Sequence, residues 1–230
     1  MYANCSIQEI AVTTFNVAQV FYINLESRAD RREHMCRQLA PCSWPIERVE
    51  AVRIDRDPKE LGINILPRLA GQRGFVGIWL SHRMAIERAL KIERDGVIVI
   101  LEDDVKISPN FWTERLKLHK DLPSDWEIVL ISPRHRRNLS ATNAPGVGPK
   151  WIRDPFAGAP TLLRSKRGQF VTTGAHFVVF RSKAIAGKVL AEMDACPELY
   201  DVDLFYLQGF QTYAIHNSLV STESLGSDHD

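Results

Sequence analysis

Val97-Ile98-Val99-Ile100-Leu101-Glu102-Asp103-Asp104 is the stretch on which the reading of this chain turns. Five apolar residues run without polar alternation and then stop at three acids. Such a run suits a strand buried on both faces, as in the interior of a parallel sheet. In open α/β sheets ligands gather in the crevice beyond the strand C-termini, so the acids stand where binding is expected. If the chain stays extended, Glu102 and Asp104 point to one side with backbones about 6.5–7 Å apart. The pair can then converge on one hard cation, while Asp103 points elsewhere or holds a ribose hydroxyl. Carboxylate oxygens suit Mg²⁺ or Mn²⁺, which bridge readily to a diphosphate. A solvated acidic turn closing the strand is the competing reading.

Working outward, strand and helix patterns alternate. Val20 to Leu25 is a β-rich apolar run, followed by Ser27 and Asp30 in a capping-box-like Ser-x-x-Asp that opens a helix ended by Pro41. An extended stretch is expected over Ile46 to Val52. After Gly77, apolar residues at Ile78, Ala85, Ile86, Ala89 and Leu90 have helical spacing, and Asp95-Gly96 reads as the close of that helix. Ser108-Pro109 caps a further helix over Phe111 to about Lys120. Trp126 to Ile131 and Gln169 to Phe180 read as strands, and Ser182 to Met193 as a helix. The alternation predicts an α/β fold with a Rossmann-type, mostly parallel sheet and flanking helices.

The composition agrees. The chain has 230 residues, 45% hydrophobic and 25% charged, with a net charge of +1. That is the balance of a folded domain, and one domain over 1–230 is expected. The neutral total argues against a nucleic-acid partner. The run at 97–101 is the longest uninterrupted apolar stretch, far short of the roughly 20 residues that span a bilayer. No signal peptide is expected either, and the reading is cytoplasmic, with peripheral contact at the inner face of a membrane left open. Cys5, Cys36, Cys42 and Cys196 form no zinc-like pair and read as reduced thiols. Residues 133–168 break the rhythm, with nine Pro or Gly and eight Lys or Arg against the single acid Asp154. A basic irregular insertion of this length is functional or disordered. It reads as a clamp for an anionic ligand, a nonspecific nucleic-acid contact with few stacking aromatics, or a solvated loop.

His82 shares a helical face with Ala85, Ile86 and Ala89, so it reads either as a hydrogen-bonded core histidine or as a ligand-facing one, with Ser81 helping to position it. Arg28, Arg31 and Arg32 follow the first strand and can meet phosphate or lie on an exposed helix face.

Taken in order, Tyr22-Ile23-Asn24-Leu25 with Asp30-Arg31-Arg32, Gly77 with Leu80-Ser81-His82, and the Leu-Glu-Asp-Asp core within 98–105 resemble glycosyltransferase family 25. This is the lipopolysaccharide- and procollagen-galactosyltransferase group. Thr173-Gly174-Ala175 and Val202-Asp203 extend the likeness, which runs from about residue 19 to the end. The resemblance implies a GT-A-like fold, a UDP-galactose or UDP-glucose donor, Mn²⁺ or Mg²⁺, and inversion at the anomeric carbon. The acceptor it implies is a glycan or lipid-linked saccharide, as in lipopolysaccharide biosynthesis. Carried over by position, Glu102 and Asp104 are the metal ligands, and Asn24, Arg28, Arg32, Ser81, His82 and Asp103 contact the donor. His229 or His216 is the third ligand, and Asp203 is the general base, with Asp201 capping its helix. A non-catalytic nucleotide-sugar or glycan-binding module on the same fold is the alternative.

Overall fold

The strand at 97–101 does lie at the centre of a sheet. The computed structural model describes residues 16–65, 69, 72–113, 124–131, 134–135, 151–153, 172–207, 210–215 and 219–225. Among these, β3 (Val97–Glu102) is flanked on one side by β1 (Val17–Asn24), with β2 (Ile46–Glu50) beyond it, all three parallel. On its other side lie β9 (Phe177–Phe180), β5 (Ile128–Ile131), β10 (Thr212–Ile215) and β7 (Trp151–Arg153), in that order. β9 runs antiparallel to both β3 and β5, and β7 antiparallel to β10, while β5 and β10 are parallel. Five of the seven strands thus point one way. This is the Rossmann-type, mostly parallel α/β sheet that the alternation predicts.

Period-two alternation sorts the strand side chains into two cores. Phe21, Ile98, Ile100, Leu130 and Val178 face α2 (Arg73–Leu90) and α4 (Lys183–Asp194), which contribute Trp79, Ile86, Val189 and Met193. Val20, Tyr22, Val99, Leu101 and Val179 face Met35 and Leu39 of α1 (Ala29–Leu39). The five apolar residues of β3 are at most 3% exposed. Each such burial stabilises the fold by roughly 1.5–3 kcal/mol. No helix among the described residues is long and apolar enough to cross a membrane.

Several local expectations are corrected. The cap of α1 is Arg28, without a side-chain cap bond, and not Ser27. The first helical bond runs from the Arg32 amide to the Arg28 carbonyl, so the helix starts too late for the Ser27–Asp30 box. α2 begins at Arg73, with Gly77 inside it, and closes at Lys91. Gly96 instead stands just before β3, at φ +143°, where a Cβ would clash with the Asn16 carbonyl oxygen. The close approach clips the starts of β1 and β3 together, Asn16 Nδ2 donating to the Asp95 carbonyl at 2.8 Å.

The stretch 169–180 is not one strand but β8 (Thr172–Thr173) and β9, parted at Gly174 with φ +118°. Helix α3 covers Pro109–Thr113, and residues 114–120 lie outside the described residues. Of the basic insertion, Arg134–His135 form β6, paired with β8, and Trp151–Arg153 form the edge strand β7. The remainder of 133–168 lies outside the described residues, as do Cys5, His216 and His229. Ser182, read as the first residue of its helix, is the cap of α4, accepting from the Ile185 amide. Cys36, Cys42 and Cys196 are free thiols.

Candidate active site

The parallel strands β1, β2 and β3 all end at one cleft of about 560 Å³. Asn24 closes β1, residues 51–55 follow β2, and Glu102, Asp103 and Asp104 follow β3. All of these line the cleft. Opposite them stand Gly77, Ser81 and His82 of α2. The remaining wall is Thr222 to Leu225, carried there by β11 (Val220–Thr222), which pairs antiparallel with β4 (Val105–Ile107). The Glu223 amide extends that ladder, donating to the Asp104 carbonyl at 2.8 Å.

The three acids do not continue as an extended chain. β3 ends at Glu102, and Asp103-Asp104 form the turn into β4. The simple alternation argument therefore fails for Asp104, although Glu102 and Asp104 both still border the cleft. Asp103 is turned inward and buried. Its carboxylate accepts from Asn24 Nδ2 at 2.8 Å and from Arg31 at 2.7 Å. Burial raises its pKa, and the Asn24 and Arg31 contacts oppose that rise. Asn24 is held in turn by Arg48, whose Nε donates to its side-chain oxygen at 3.2 Å. Asn24 and Asp103 thus fasten the ends of β1 and β3 together beneath the cleft.

Ser81 and His82 also acquire specific partners. The Ser81 hydroxyl donates to the Gly77 carbonyl at 2.6 Å and accepts from the Val52 amide at 2.8 Å, which ties the segment after β2 to α2. His82 is wholly buried, with Nδ1 at 3.0 Å from the Tyr206 hydroxyl and Nε2 at 3.4 Å from Glu102 Oε1. Burial lowers its pKa to about 3, so the contact with Glu102 is made by a neutral ring. Tyr206 belongs to α5 (Val202–Tyr206), and burial followed by the charges of Glu102 and Asp203 pushes its phenol well above the usual range.

Three residues expected at the site do not line the cleft. Arg28 is turned to Asp30 and to the Leu225 carbonyl, and Arg32 pairs with Glu26 at the surface. Arg31 lines the cleft in their place. One helical residue is about 100° of rotation, which turns Arg32 away from the face that Arg31 presents, and Arg28, the cap residue, is held by Asp30. Asp203 stands outside the cleft lining, with its oxygens on the amides of Gly174 at 2.5 Å and Ala175 at 2.7 Å. Burial, then the charges of Asp201 and Glu102, raise its pKa well above the ordinary carboxylate value, against the pull of those two amides. Asp201 caps α5 as expected, accepting from the Asp203 amide.

Sequence reasoning passed over Arg53, Asp55 and Arg73 on the outer wall. Arg53 Nε donates to Asp55 Oδ1 at 3.0 Å, and Arg73 to the Asp55 carbonyl at 2.6 Å. The strand-end rule that singled out Glu102 applies equally to Arg53 and Asp55 after β2. No local signal marks Thr222 to Leu225.

Among the described residues there is no group of three or more His, Cys, Asp or Glu arranged to hold a metal. Hard cations shared with a substrate diphosphate need only one or two carboxylates and keep several waters. Glu102 and Asp104 on one cleft fit that demand by chemistry and number.

The family model described as "Glycosyltransferase family 25 (LPS biosynthesis protein)" matches residues 17–142. The chain belongs to glycosyltransferase family 25. Procollagen galactosyltransferase 2 of Mus musculus is 32% identical over 131 residues, covering 49% of this chain and 20% of that protein. Procollagen galactosyltransferase 1-B of Xenopus laevis is 28% identical over 199 residues, covering 80% of this chain and 31% of that protein. The chain thus spans between a fifth and a third of the length of these relatives. Among solved structures, a glycosyltransferase involved in glycosylation of the major capsid of PBCV-1 overlaps at a TM-score of 0.39 and 8% identity, covering 79% of this chain and 68% of that one.

Proposed function

We propose that this protein transfers a hexose from a UDP-sugar to a saccharide hydroxyl with inversion, in lipopolysaccharide or related glycan biosynthesis. The observation that carries this reading is the acidic turn Glu102–Asp104 on a cleft formed where three parallel strands end. The names of the relatives favour galactose over glucose as the sugar moved. In this reading Glu102 and Asp104 hold Mn²⁺ or Mg²⁺, which, when bound, neutralises charge developing on the departing diphosphate. Asn24 and Asp103 hold the strand ends that form the floor. Arg31, Arg53 and Arg73 supply positive charge around an anionic donor.

Inversion requires a base that takes the acceptor proton on the face opposite the diphosphate. Asp203, which does not line the cleft but lies near enough to Glu102 to feel its charge, is the residue we assign to that role. Burial raises its pKa, which makes it a stronger base than an exposed carboxylate. Its two amide contacts hold it in one orientation.

Calorimetric titration of UDP-galactose with Mn²⁺ tests the site. Wild type is expected to bind, and Glu102→Ala and Asp104→Ala to lose metal-dependent binding while remaining folded. Equal affinity in all three proteins removes the metal and donor assignment. Binding without any turnover favours the non-catalytic module.

A further inference from the structure

Three elements meet at His82: α2 bears it, α5 brings the Tyr206 hydroxyl to its Nδ1, and β3 ends with the Glu102 carboxylate beside its Nε2. Both rings are sealed from solvent at 0% exposure. Tyr206 is fixed by edge packing on Phe180, with ring centroids 5.6 Å apart, and the Thr212 hydroxyl donates to its carbonyl. The two neighbours of the ring decide where its proton sits, since a hydroxyl can donate only to a bare nitrogen and a carboxylate can only accept from an N–H. With the proton on Nδ1, the lone pair of Nε2 would face a carboxylate oxygen, and the tyrosine O–H would lose its acceptor. With the proton on Nε2, both contacts are satisfied.

We infer that Tyr206 and His82 are positioning residues for Glu102: the tyrosine O–H donates to Nδ1, this fixes the Nε2–H tautomer, and Nε2–H donates to Oε1 and aims the carboxylate into the cleft. The inference rests on the proposed role of Glu102 at the metal and diphosphate. It adds a residue 104 positions further along the chain, at the far end of a buried two-step hydrogen-bond chain. Its consequence is that a hydroxyl which does not line the cleft controls how well the cleft holds a metal–diphosphate pair. Partners that orient a ligating group are typically worth about 10–100-fold in affinity or activity.

The test has two parts. Nitrogen NMR of the ¹⁵N-histidine-labelled wild-type protein reads the tautomer directly, with no substitution. The Nε2–H form is expected at His82, and the Nδ1–H form overturns the inference. Calorimetry then compares UDP with Mn²⁺ against UDP with EDTA. Tyr206→Phe is expected to weaken the Mn²⁺-dependent affinity about 10-fold or more and to leave UDP binding in EDTA unchanged, and His82→Leu to weaken the Mn²⁺-dependent affinity to a similar extent. His82→Gln, which restores an N–H donor toward Glu102, is expected to keep most of the affinity. Tyr206→Phe and His82→Leu proteins that bind UDP–Mn²⁺ like wild type overturn the relay. Glu102→Gln serves as the reference. If it weakens binding while the other two do not, the relay alone is wrong; if it too binds like wild type, the reading of the site falls with it.

Discussion

The His82 imidazole stays neutral because burial disfavours its charged form and lowers its pKa to about 3. In the unfolded chain the same ring titrates near 6.5. Between those values the unfolded state binds a proton that the folded state does not. The contribution of His82 to stability is therefore complete above about pH 6.5 and is lost as pH falls toward 3, by about 1.4 kcal/mol per pH unit for one proton. Urea denaturation of the metal-free protein at pH 7 and pH 5 should show a smaller acid loss in His82→Gln than in wild type. Equal losses would place the charged ring inside the fold. Asp203 is the second residue to test. Asp203→Asn keeps the size of the side chain but removes the base, so transfer should drop on the order of 10²–10⁴-fold with UDP-sugar binding retained. Transfer near the wild-type rate, or a loss no larger than the variant's loss of folded protein, assigns Asp203 to holding Gly174 and Ala175 alone. Asn24, Ser81, His82 and Asp103 are legible in the sequence as candidates, and all four line the cleft. Their particular contacts were not, because the partners are remote in sequence: Asn24 and Asp103 are 79 positions apart, and His82 and Tyr206 are 124 apart.

Helix α2 carries a glycine where helical propensity argues against one. Replacing a mid-helix Gly by Ala ordinarily stabilises by about 0.5–1 kcal/mol. At Gly77 the new Cβ would lie 2.5 Å from the Val52 carbonyl oxygen, a backbone atom that cannot rotate away. Ser81 binds the Val52 amide from the same helix, so the displaced segment is the wall at 51–55. Gly77→Ala should lower the melting temperature and weaken donor binding together, as read by thermal denaturation with and without UDP and Mn²⁺. A more stable Gly77→Ala protein contradicts this packing. Elements with a strong local signal are legible directly, as with β3 from its unbroken apolar run. The boundaries that failed were set at a distance. Gly96 serves the contact with Asn16 and not a helix end, and the strand at 169–180 is broken where Gly174 turns its amide to Asp203.

Across the whole molecule, one property organises the rest. β1, β2 and β3 run the same way, so the chain leaves the sheet three times at one edge and deposits Asn24, Arg53 to Asp55, and Glu102 to Asp104 around one space. Alternation of strand and helix patterns made that much readable, since a parallel neighbour requires a crossover. The reversal of β9 and β7 left no local mark, because direction depends on which strand the chain returns beside. The wall at Thr222 to Leu225 likewise depends on β11 finding β4 more than a hundred residues earlier.

The most direct measurement is UDP release from UDP-galactose with Mn²⁺ and a saccharide acceptor, in wild type and in the Glu102→Ala, Asp104→Ala double variant. The account predicts acceptor-dependent UDP release by wild type, abolished by EDTA and absent from a double variant that remains folded. Release that persists undiminished in the double variant, or a wild type that neither binds nor cleaves any UDP-sugar, contradicts it.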